Sequence, residues 1–121
     1  MKAYQDFITE MSKSETREFE SRLSVIIEHL LKIGHIKGQI GIDNLRGWKK
    51  SVRDQMNELA DHIEENPGLK PKITDTLLDT VYRSVIGGLK KDYPAIQFPR
   101  TRQLSVEEIV GSNVIALLKK R

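Results

Sequence analysis

The stretch NLRGWKKSVRDQMNELADHIEE, residues 44–65, decides how this chain folds. At 100° per residue its Leu45, Trp48, Val52, Met56, Leu59 and Ile63 fall within an arc of about 80°. Such a stripe makes an amphipathic helix that buries one side against its neighbours. It carries the only tryptophan of the chain. Asp43 or Asn44 offers the N-cap. Asn66-Pro67-Gly68 ends the helix, because a proline disfavours a helical residue before it. The stretch specifies packing and names no reaction.

Upstream, Ser12 with Glu15 forms a capping box that starts a helix running to about Ile33. Its apolar residues, Phe19, Leu23, Ile26, Ile27, Leu30, Leu31 and Ile33, span about 160°, wide enough to touch two neighbours. Val25 lies off that stripe. Gly34, Gly38 and Gly41 punctuate the connection into the central helix.

Downstream, Pro71 suits the first turn of a third helix. That helix runs to about Lys91 on Ile73, Leu77, Leu78, Val81, Val85 and Leu89. Gly87-Gly88 should loosen its last turns. Pro94 and Pro99 hold an extended link, and Ser105 with Glu108 makes a second capping box before a short helix ended near Gly111. Phe7, Ile8 and Met11 suggest an N-terminal helix over 1–11. Residues 112–121, with Val114, Ile115, Leu117 and Leu118, form a short helix or a tail. No alternation supports a strand. The expected architecture is one all-α domain over 1–121, an up-down antiparallel helical bundle of three long helices plus short terminal helices.

Composition narrows the function classes. Charged residues make up 31% and apolar ones 38% of 121 residues, which fits a soluble globular domain. There is no cysteine, which removes disulfides, thiolate nucleophiles and cysteine metal sites. No apolar run approaches the roughly 20 residues of a membrane span. The first fifteen residues lack a signal-peptide core. A cytoplasmic protein without membrane contact is expected.

A net charge of +3 is mild, so the position of the charges matters more than their sum. Arg46, Lys49, Lys50 and Arg53 share one face of the central helix, centred about 110° from its apolar stripe. Glu58, Asp61, Glu64 and Glu65 fill the C-terminal half, an order opposite to the one the helix dipole prefers. The end of the first long helix adds Lys32, His35 and Lys37 to the basic pole. Arg83, Lys90, Lys91, Arg100 and Arg102 are expected there too. The opposite pole collects Glu15, Glu18 and Glu20 with the carboxylates of the central helix. Solvated side chains and an anion-facing surface both account for this pattern. A helix-turn-helix would place basic side chains similarly, but the connection over 34–43 is long for one.

Chemistry-bearing sets do not emerge. His29, His35 and His62 have no histidine at i+3 or i+4, so no metal site is expected. His29 reads as a packed or hydrogen-bonded residue at the core edge, and Trp48 as a core anchor. Glu64 and Glu65 are adjacent and point apart. Gly87-Gly88 follows no strand and is no phosphate cradle. No serine is singled out as a nucleophile. The expectation is a non-enzyme without cofactor or small-molecule ligand.

Three segments, MSKSETREFESRLSVIIEHLLK, LRGWKKSVRDQMNELADHIEENPGLKP and FPRTRQLSVEEIV, together resemble a bacterial family, the domain of unknown function numbered twenty-nine. The resemblance rests on the SKSE cap, Trp48 with Arg53 five residues on, the Asn-Pro-x-Leu-Lys corner over 66–70, and the Phe-Pro pair at Phe98. It implies a helical bundle and brings no catalytic residues. Family members usually carry a further aromatic-rich and acidic N-terminal stretch, and a more basic connection than the one here. Without that stretch, Ile33, Val25 or their neighbours are expected to expose apolar surface, the kind of patch that marks an interaction site. The leading expectation is thus a protein-interaction or regulatory module that pairs with itself as a homodimer or with another protein. The runner-up is nucleic-acid binding through Arg46, Lys49, Lys50 and Arg53.

Overall fold

The computed structural model describes residues 13–102 and 104–110. The expected helix over 1–11, the cap at Ser12 and the tail at 112–121 lie outside the described residues. Helix α1 (Lys13–His35) leads through two residues into α2 (Gly38–Glu65). A 3-10 turn (Pro67–Lys72) carries the chain into α3 (Asp75–Asp92), and the short α4 (Val106–Val110) follows. There is no strand among the described residues, and the fold is an all-α up-down bundle.

Antiparallel pairing of α1 and α2 is read from two contacts. Arg22 bonds Glu58 at one end, and the Lys32 ammonium stands 5.8 Å from the centre of the Trp48 ring at the other. Helix α1 is the packing centre, as its wide stripe requires. It touches α2 along its length and α3 on another side, while α2 and α3 make little direct contact. Phe19, Leu23, Ile26 and Ile27 of α1 meet Trp48, Val52, Met56 and Leu59 of α2 and Leu78, Val81, Tyr82 and Leu89 of α3 in one core. The expected stripe of the central helix is therefore the buried one, with Leu45 and Ile63 half-buried at its edge.

The corner between α1 and α2 departs from expectation. The connection expected over 34–43 shrinks to Ile36 and Lys37, and α2 begins six residues early. Asp43 and Asn44 are not caps but lie inside the helix. The Asp43 carboxylate accepts a bond from Gln39, and the Asn44 amide donates to the Ile40 carbonyl at 2.8 Å. The glycines act by geometry instead of by breaking the helix. Gly38 has φ of +75°, a region that L side chains avoid. Gly41 is buried against the Ile36 carbonyl, with no room for a Cβ.

Ile33 was expected to be uncovered, but it is 5% exposed and sits in the core with Ile36. Val25 is half-buried. The large exposed hydrophobics among the described residues are Ile40 and Ile42.

At the other end, α2 stops at Glu65, before Pro67, as expected. Pro71 belongs to the 3-10 turn and not to α3. The N-cap of α3 is Thr74, whose hydroxyl accepts from the Leu77 amide at 3.1 Å. Its Gly87 and Gly88 are exposed helical residues with open space where a Cβ would go. Gly87→Ala is expected to raise stability by about 0.5–1 kcal/mol, since alanine removes unfolded-chain entropy without a clash. A chemical-denaturation midpoint that fails to rise would contradict this.

After α3 the chain turns back as a strap, residues 93–102 and 104–105. Phe98 and Leu104 are buried, and the Phe98 ring meets His35 edge to face at 5.8 Å between centroids. Tyr82 donates to the Pro99 carbonyl at 2.5 Å. Arg102 fastens the far end through Asp79 at 2.7 Å, Asp75, and the Leu104 carbonyl at 2.6 Å. Arg102 was expected at the basic pole; the returning strap instead carries it back to the first turns of α3. Burial opposes its charge, but hydrogen bonds to Asp75 and Asp79 outweigh this and push its pKa upward. Ser105 and Glu108 form the expected reciprocal capping box, at 3.1 and 3.0 Å.

Tyr82 gives the strap a pH signature. Burial raises its hydroxyl above the ordinary value of 10.0. A folded pKa above the unfolded one leaves its stabilisation intact below about pH 10 and removes it as pH climbs through the folded value. Tyr82→Phe should cost about 1 kcal/mol at neutral pH through the lost bond, and should flatten the decline above pH 10. Urea titrations of both proteins from pH 7 to 11 would check this; parallel declines would sink it.

Candidate interaction surface on the second helix

Helix α2 presents two flanks beside its buried stripe. One faces α1: Gln55 and Glu58 lie there, and the Arg22 guanidinium reaches both, with Glu18 closing the pair from α1. The other flank points away from α1. At 100° per residue it carries Ile42, Arg46, Lys49, Arg53, Ala60 and Glu64. Ile42, at its head, is 71% exposed.

The four cations named from the sequence do stand together, but their surroundings differ. Lys50 bonds Asp54 at 2.7 Å, an exposed i,i+4 pair. Arg46 and Arg53 are exposed and Lys49 is half-buried. None of these three has a carboxylate partner among the described residues. Arg46 to Arg53 spans seven residues, about 10 Å along the axis. Because α2 begins at Gly38, these cations sit two turns inside the helix. They escape most of the first-turn dipole penalty that a start at Asn44 would impose. Lys32, expected at the same pole, is largely covered; it pairs with Glu28 at 3.5 Å and lies over Trp48.

The acidic half is also divided. Glu58 is neutralised by Arg22. Asp61, Glu64 and Glu65 are exposed and have no basic partner among the described residues. Between α1 and this end of α2 lies an open cleft of about 390 Å³, lined by Glu18, Arg22, Glu58, Asp61, His62 and Glu65. The sequence reading missed that Arg22 would consume Glu58. Antiparallel register was the available signal: if position 32 lies opposite 48, position 22 falls opposite 58.

The histidines do not converge. His29 Nδ1 lies 2.8 Å from the Val25 carbonyl at the core edge, His35 meets Phe98, and His62 lines the cleft. Among the described residues there is no group of three His, Asp or Glu side chains placed to hold a metal. None of the described helices is long and apolar enough to cross a membrane.

Together these features define a helical domain with a charge-divided lateral helix. The chain belongs to the family described as Domain of unknown function DUF29, whose model matches residues 5–115. No curated protein and no solved structure matches it.

Proposed function

We propose that this chain is a protein-interaction or regulatory module of the bacterial cytoplasm, working through the outer flank of α2. The observation that carries the reading is that this flank points away from α1, with Ile42 exposed at its head and charges left without partners. Isolated exposed apolar residues are ordinary. Ile42 gains weight here from its continuity with unpaired charges, the composition of a polar interface rim around an apolar contact. The lack of cysteine suits a reducing compartment.

Affinity capture from the source-cell lysate tests the reading. A stoichiometric protein that stays bound at high salt and is lost on Ile42→Glu supports it. Retention of that protein by the Ile42→Glu variant would refute the assigned surface. A second reading, nucleic-acid binding, is favoured by the unpaired state of Arg46, Lys49 and Arg53. It requires affinity for a labelled duplex to fall with salt at a slope of about −0.9 per phosphate contact. It also requires Arg46→Glu to abolish binding.

A further inference from the structure

We propose that the outer flank of α2 docks an acidic amphipathic helix of a partner protein, with carboxylates against Arg46, Lys49 and Arg53 and an apolar side chain against Ile42. This rests on the interaction-module reading and names the chemistry of the partner. At 100° per residue these four positions fall within about 60°, so they form one seam along the helix. Glu64 is the one acid of α2 on that flank, about 16 Å beyond Arg53 along the axis. Asp61 and Glu65 lie round the helix and line the cleft with α1. Lys50 and Asp54 neutralise each other. The seam is thus net basic, and its three cations meet no carboxylate among the described residues. Its electrostatic complement is an acidic surface.

Spacing selects a helix as the occupant. Arg46, Lys49 and Arg53 follow one another at three and four residues, rises of about 4.5 and 6 Å. A helix alongside returns side chains to one face at the same steps, so its carboxylates stay level with the cations. An extended segment returns to one face about every 6.7 Å and drifts by about 3 Å over the row. Ile42 continues the seam one turn toward the start of α2 and is 71% exposed. An antiparallel partner brings its negative dipole end to that start.

Two other occupants fit less well. A second copy brings one carboxylate against three cations, and reversing it about a two-fold axis leaves most of them facing their own kind. A nucleic acid finds a row of cations only about 10 Å long, closed at one end by an apolar side chain that phosphates cannot use. A single-helix seam is small, so a dissociation constant of roughly 10–100 µM is expected. Salt should weaken it about tenfold by screening the exposed pairs, leaving the contact at Ile42.

Fluorescence anisotropy of the full chain with a fluorescein-labelled helical peptide tests the proposal. The peptide carries Glu at i, i+4 and i+7 and Leu at i+11 on an alanine–glutamine background, to meet Arg53, Lys49, Arg46 and Ile42 in turn. Binding is expected, and should weaken about tenfold or more when Arg46→Glu and Arg53→Glu are combined. A peptide with Lys in place of Glu at i and i+7 should bind that double variant and not the wild type. Such rescue separates docking from folding, because a misfolded chain would not exchange one peptide for the other. No binding up to about 1 mM, or equal binding of a peptide with its carboxylates spread round the helix, overturns the proposal. So does a labelled duplex that binds more tightly than the peptide, or a dimer of the chain that the double variant abolishes. Peptide binding unchanged by Ile42→Glu overturns both the proposal and the surface on which it rests. A lysate protein that needs Ile42 but ignores the double variant overturns the acidic helix and leaves the interaction module standing.

Discussion

Replacing Leu23 with alanine is expected to lower stability by about 3–4 kcal/mol, within the range for a large-to-small change at a fully buried leucine. Leu23 is 0% exposed and lies on α1, the helix against which both others pack. A cavity there would open inside the single core that the three long helices share, and neither α2 nor α3 can close it without leaving its own contacts. For a domain of this size the loss corresponds to a melting point about 10–15 °C lower. Denaturant unfolding with an unchanged slope would place the effect in the native state. A loss below about 1 kcal/mol would mean that the site collapses and that α1 is not the packing centre described here.

Gly41→Ala should cost about 2–3 kcal/mol, although alanine is the better helix former by up to about 1 kcal/mol. A Cβ at Gly41 would lie 2.4 Å from the Ile36 carbonyl oxygen and 3.2 Å from its carbon. Both are backbone atoms, so no side-chain rotation relieves the contact. Either α2 frays back toward Asn44 or the corner with α1 opens. The same substitution at Gly87, where nothing lies within 4 Å, should have the opposite sign. Thermal melts of the two variants side by side provide the measurement, and a stabilised Gly41→Ala would contradict the corner geometry.

The contrast between those glycines explains what was legible in the sequence. A stripe is a sum over many residues, so Trp48, Val52, Met56 and Leu59 could be placed in the core from spacing alone. The Ser105–Glu108 box was legible because two side chains at a fixed offset satisfy each other. Gly38 and Gly41 were misread as breaks. Propensity disfavours glycine in a helix, whereas the close approach to Ile36 that demands it depends on tertiary geometry. Thr74 escaped notice because no Glu or Gln follows at the third position to complete a box. The cations of α2 could be located from the sequence, but which stay unpaired depends on helix register. Lys50 and Asp54, four residues apart on one helix, need no register between helices to pair, whereas Arg46, Lys49 and Arg53 would need a carboxylate from a neighbouring helix and meet none among the described residues.

The two-residue corner at Ile36 and Lys37 also shapes how the chain reaches its fold. Contacts across the α1–α2 hairpin begin at short sequence separation near Gly41 and lengthen stepwise to Arg22–Glu58, 36 residues apart. Each closed pair shortens the loop that the next must close, so the entropy of loop closure is spread over small steps. A low-contact-order hairpin of this kind forms early and quickly. The strap reaches α3 over separations of 17 and 27 residues, at Tyr82–Pro99 and Asp75–Arg102. It can dock only on helices that already exist. Native hydrogen exchange should therefore divide the molecule into a slow hairpin and a faster strap, two cooperative units sharing a single core.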